Sequence, residues 1–148
     1  MNDGDREALA RIESAFGECP RPEHFTEWQH CCECAEHDAE LAAHTPETIG
    51  LAELGNAGWD PICFATPEAY LYYLPGLARL ALGRAPDYYL EQFLFHLNAD
   101  RSAILTPTQR EAVRRFLEHI MASRTDDPDV AFDLAELGRV IDRLSGSP

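Results

Sequence analysis

The chain predicts a mainly α-helical, compact single-domain bundle of about six to seven helices, with room for one or two very short strands. Two observations carry this. A side-chain oxygen followed by proline recurs at Thr45-Pro46, Thr66-Pro67, Thr106-Pro107 and Asp127-Pro128. This pairing starts helices, because the oxygen caps a free backbone N–H and proline lacks the N–H that would go unbonded in the first turn. Apolar residues also recur at helical spacing, most clearly as Val113, Phe116, Leu117, Ile120 and Met121, and again as Leu134, Leu137, Ile141 and Leu144.

Taken in order, residues 5–16 place Leu9, Ile12 and Phe16 on one face and stop at Gly17. Thr26 and Gln29 have the spacing of a capping box, so a second helix is expected over 27–44. Further helices are expected over 46–54, 67–82 with a kink at Pro75, 87–98, 107–124 and 128–144. The short apolar runs 49–54 and 62–64 suit a strand as well as a helical turn. Residues 1–4 and 145–148 are expected to fray, and no composition shift divides residues 1–148 into more than one domain.

Composition narrows the function. A chain of 148 residues is long enough to bury roughly 70% of the surface its unfolded form exposes, so folding alone needs no metal or disulfide. The net charge of −14 leaves no basic stripe for a phosphate backbone, which argues against nucleic acid and points to a basic protein as partner. All twelve Lys and Arg positions are Arg, which excludes Schiff-base chemistry and a P-loop lysine. Residues 1–11 are polar and acidic, unlike a signal peptide, and the apolar run 61–83 is broken by Glu68, Arg79 and prolines. A cytoplasmic protein without a membrane span is expected. Five cysteines, three of them within residues 31–34, favour metal or redox chemistry over a disulfide framework.

The most loaded stretch is His30-Cys31-Cys32-Glu33-Cys34-Ala35-Glu36-His37-Asp38. On a helix, residues three and four apart are neighbours, so Cys34 would have His30, Cys31, His37 and Asp38 around it. Thiolate and imidazole together suit zinc. The expected ligands are Cys31, Cys34 and His37, with a fourth from outside the helix: His24 is nearest in sequence, and His30, His96 and Cys63 are alternatives. The same stretch also reads as an apolar stripe of Trp28, Cys31, Cys32, Ala35, Ala39 and Ala42, with the thiols merely packed. A third reading is a nucleophile, Cys34 with His37 as base and Asp38 as orienter, although Glu33, Glu36, Asp38 and Glu40 oppose a thiolate there. No strand pattern precedes the CxxC, which weakens a thioredoxin-like reading. The leading functional expectation is a zinc-binding accessory or interaction module, more a binder than an enzyme. An acidic, metal-free, immunity-like partner of a basic protein is the alternative.

Elsewhere, Asp60 before Pro61 reads as a turn former, and His96 as a satisfied core histidine that could also be a distant ligand. His44 and His119 read as exposed. Tyr70, Tyr72, Tyr73, Tyr88 and Tyr89 are expected to pack with their hydroxyls bonded at the core edge. Arg110, Arg114 and Arg115 are expected to pair with Glu111 and Glu118 on their own helix.

Arg21-Pro22-Glu23-His24-Phe25, the CxxC with His37, Gly58-Trp59-Asp60-Pro61-Ile62-Cys63-Phe64, Leu74-Pro75 with the leucines that follow, and Gln92-Phe93-Leu94-Phe95-His96-Leu97 together resemble an uncharacterised bacterial domain-of-unknown-function family. The likeness runs from about Arg21 to Leu117 and implies one compact domain. It implies no activity, substrate or catalytic residue, and the extra thiol at Cys32 lies outside its pattern.

Overall fold

The computed structural model describes residues 1–146, and the expected fraying of Ser147 and Pro148 lies outside them. Eight α-helices are present among the described residues: α1 (Asp3–Phe16), α2 (Cys32–Ala42), α3 (Leu51–Leu54), α4 (Pro67–Ala81), α5 (Leu90–His96), α6 (Ala99–Ala103), α7 (Pro107–Ser123) and α8 (Pro128–Ser145). A 3-10 helix, Pro61–Phe64, lies between α3 and α4. Of the two ambiguous apolar runs, 51–54 and 62–64 are helical and Ile49 and Gly50 lie just outside, and the only β-pairing among the described residues is an isolated bridge between Thr26 and Ala65.

The long helices form the frame. Helix α1 packs on α4 and α7, α7 on α8, and α5 against α4 and α8. Their apolar faces meet in one cluster that includes Ile12, Phe16, Leu74, Leu77, Phe93, Phe116, Leu117, Ile120, Leu137 and Val140. Burial of these side chains supplies the main driving force, at about 1.5–3 kcal/mol for each large one. No helix among the described residues is long and apolar enough to cross a membrane.

Three of the four oxygen-proline pairs start helices as expected: Thr66, Thr106 and Asp127 cap α4, α7 and α8. The fourth does not. At Thr45-Pro46 the Thr48 hydroxyl takes the Thr45 N–H at 2.8 Å, closing a turn, and the helix starts only at Leu51. Residues 87–98 are shorter as a helix than expected, because Asn98 caps the separate α6 by accepting from the Arg101 N–H at 3.0 Å. At the start of the chain, Asn2 and Asp5 form a capping box, so Asp3 and Gly4 are helical instead of frayed, as is Ser145 at the other end. Helix α4 continues through Pro75. Beside it, a Cβ on Gly76 would stand 2.5 Å from the Pro46 carbonyl oxygen, so only glycine lets the 45–50 segment lie this close.

Polar contacts differ from expectation at several places. His119 is half-buried and bonds Asp5 at 2.8 Å, and His44, also half-buried, lies 3.6 Å from Glu53. Burial pushes the Asp5 carboxyl up, but His119, the Asn2 N–H and Arg124 together leave it below its ordinary range. Tyr73 and Tyr88 have hydroxyl partners, whereas the hydroxyls of Tyr70 and Tyr89 are buried without one. Arg114 and Arg115 pair along α7 with Glu111, and Arg114 with Glu118, as expected; Arg110 bonds the Ser102 carbonyl instead.

Candidate metal centre

Helix α2 starts five residues later than the Thr26–Gln29 spacing implied. Thr26 is extended in its bridge to Ala65, and its hydroxyl donates to the Cys34 carbonyl at 2.6 Å. The neighbouring strand-like contact is completed by Thr66 N–H donating to the Phe25 carbonyl at 2.9 Å. With Thr26 committed, the cap falls to Cys31, whose backbone is extended and whose sulfur accepts the Cys34 N–H at 3.4 Å. Asp38, one turn further on, accepts from the Phe25 and Thr26 N–H groups and pairs with His24 Nδ1 at 2.9 Å. At the far end, the Arg21 guanidinium donates to the carbonyls of Ala42 and His44. Both ends of the helix are thus fixed to the loop before it.

This arrangement brings Cys31 and Cys34 together with His30. One donor atom from each lies within 4.8 Å of the others. The two sulfurs are 3.4 Å apart, and His30 Nδ1 is 3.8 Å from the Cys34 sulfur. Cys31 and His30 are exposed and Cys34 is buried. The Cys34 backbone N–H, the His30 ring and the Cys34 thiol hold the Cys31 thiol down at about 7. Contact with Cys31, burial and the nearby Glu33 push Cys34 the other way. Of the two, Cys31 is therefore the readier thiolate, whereas the sequence pointed to Cys34.

His37 and His24, the other expected ligands, lie outside that group. The His37 ring is fully buried between Trp59 and Phe64, with centroids 4.3 and 4.6 Å away. Glu33 and Glu40 approach its two nitrogens at 3.7 and 3.8 Å, and neither nitrogen has a hydrogen-bond partner. His24 stacks on Trp28 at 4.7 Å and is held by Asp38. Asp38 consequently orients His24 and two loop amides, and the set Cys34, His37 and Asp38 does not line up as nucleophile, base and orienter. Burial raises the Asp38 carboxyl, but the His24 contact and the two amide donors bring it below its ordinary value.

A second group, Asp60, Cys63 and His96, meets within the same 4.8 Å. Here Asp60 and His96 are already used, and only the exposed Cys63 thiol is not. Asp60 caps the 3-10 helix by accepting the Ile62 N–H at 2.9 Å, and its other oxygen contacts His96 Nε2 at 2.6 Å and the Gln92 amide at 3.3 Å. Arg101 donates to His96 Nδ1 at 3.2 Å and to the Ile62 carbonyl at 2.6 Å. Burial and the Asp60 charge push the Cys63 thiol up. Asp60 is thus both a turn former and the centre of a buried clasp joining the 3-10 segment to α5. Sequence spacing could not show this clasp, since its two main members are 36 positions apart.

No family model, curated protein or solved structure matches the chain. The site therefore rests on its own geometry.

Proposed function

We propose that the chain is a metal-binding accessory or interaction module that holds zinc through Cys31, Cys34 and His30. The observation that carries this reading is the convergence of two sulfurs and an imidazole nitrogen within 4.8 Å at the surface end of a helix. Thiolate and imidazole donors favour zinc among common divalent ions, and three protein ligands leave a fourth position for water or for a donor on another molecule. His30 takes the place the sequence gave to His37. His37 and His24 would have to leave their aromatic and carboxylate partners to join. The lowered Cys31 thiol supports binding, because near neutral pH the proton then competes less with the metal for that sulfur. The −14 charge makes a basic protein the natural contributor to the open position.

Metal analysis of protein purified without a histidine tag tests the proposal. About one zinc per chain, retained through desalting, is the expected result. Less than about 0.2 equivalents, unchanged after refolding with zinc, would contradict it.

A further inference from the structure

We infer that the metal-free Cys31–Cys34 pair also carries out thiol-disulfide exchange, with neutral or cationic disulfides as its preferred partners. The inference uses the same sulfurs as the zinc reading but does not rest on it. Three features of the geometry support it. Cys31 is exposed at the N-cap of an 11-residue helix, where a backbone N–H and the positive end of the helix face its sulfur. Cys34 is buried directly behind it, so an incoming disulfide meets Cys31 first. The sulfurs stand 3.4 Å apart, so closing them to a bond needs a movement of about 1.4 Å.

The reaction balances without another reagent. The Cys31 thiolate attacks one sulfur of the disulfide, forming a mixed disulfide and releasing the first thiol. Cys34 then gives up its proton and attacks the Cys31 sulfur, which expels the second thiol. The Cys31–Cys34 dithiol loses two electrons, and the substrate disulfide gains them as two thiols. Charge sets the preference among substrates: half-exposed Glu33 lies between the two cysteines in sequence, and the whole chain carries −14.

The test uses the full chain, reduced and stripped of metal with a chelator, mixed separately with cystamine and with dithiodiglycolate. Cystamine, which is cationic, should react at least about tenfold faster than the anionic dithiodiglycolate, with the gap shrinking in high salt. Peptide mapping should find a Cys31–Cys34 disulfide, unchanged by Cys32→Ser. Cys34→Ser should stop at a cysteamine adduct on Cys31. An adduct that forms first on Cys32 or Cys63, without closure of Cys31 to Cys34, overturns the inference, as does equal reaction with both disulfides. If Cys34→Ser does not fold, the wild-type map decides alone. A chain that retains zinc yet fails this test leaves the metal reading standing, and one that closes the disulfide but takes up no zinc does the reverse.

Discussion

The groups around Cys31 and Asp60 contain similar chemistry, yet in one the donors are only lightly held, whereas in the other Asp60 and His96 are fully committed and only the exposed Cys63 thiol is free. His30, Cys31 and Cys34 sit at a helix end where Cys31 is held by weak contacts to sulfur, from the Cys34 N–H and the Cys34 thiol, each at 3.4 Å. Asp60 and His96 are almost fully buried, and each polar atom of the pair is engaged by Ile62, Gln92, Arg101 or the other. Burial favours such saturation, since an unpaired buried polar group costs about 1–3 kcal/mol, a cost that the His37 ring and the Tyr70 and Tyr89 hydroxyls bear. The presence of cysteine, histidine and carboxylate therefore does not make a ligand site. A ligand site also needs unspent donor capacity within reach of solvent.

The sharpest way to break this contrast is to remove Asp60. Asp60→Ala strands the Ile62 N–H, the Gln92 amide and His96, and should lower unfolding free energy by about 3 kcal/mol in urea denaturation. Zinc stoichiometry of the fraction that stays folded should be unchanged. A cost below about 1 kcal/mol would mean that the clasp is not saturated in the way described.

At the other group the pattern reverses. Cys31→Ser and Cys34→Ser should weaken zinc binding by at least about 100-fold in competition titrations, more than the loss of an outer-shell contact. Metal-free Cys31→Ser should change stability by less than about 1 kcal/mol, because serine is itself a good N-cap. Substitution of the two histidines then separates ligand from core. His30→Ala should cost at least about tenfold in zinc affinity. His37→Ala should leave that affinity intact while lowering stability by about 1–2 kcal/mol through lost stacking on Trp59 and Phe64.

A smaller effect concerns pH. Asp38 titrates below its ordinary 3.8 in the folded chain, so the stability it supplies is present above that pH. That stability is lost as the pH falls through the lower folded value. Asp38→Asn should flatten this part of the acid limb in a denaturation series at pH 2–6, and an unchanged limb would show that the loop is held by other contacts.

Much of the architecture was legible because it is written locally. Thr106-Pro107 starts α7, and the 113–121 periodicity maps onto the buried face of that helix. Helix α2 is less legible, because Thr26 has two possible uses. A bridge to Ala65, 39 positions away, outcompeted the cap. The same limit governed the site. Cys31 and Cys34 are three apart and could be paired from sequence, but the fate of His37 depended on Trp59 and Phe64, which reach it only through the fold. Asp60 and His96 each stand out locally, one before a proline and one in an apolar helix, but their contact is a tertiary fact.

Zinc-edge X-ray absorption of the zinc-loaded, untagged protein tests the central claim most directly. Two sulfurs at about 2.3 Å and one imidazole nitrogen at about 2.0 Å, with a light atom completing four-coordination, are predicted. The imidazole signal should disappear in His30→Ala and persist in His37→Ala. A shell of oxygen and nitrogen without sulfur, or an imidazole signal that follows His37, would contradict the account.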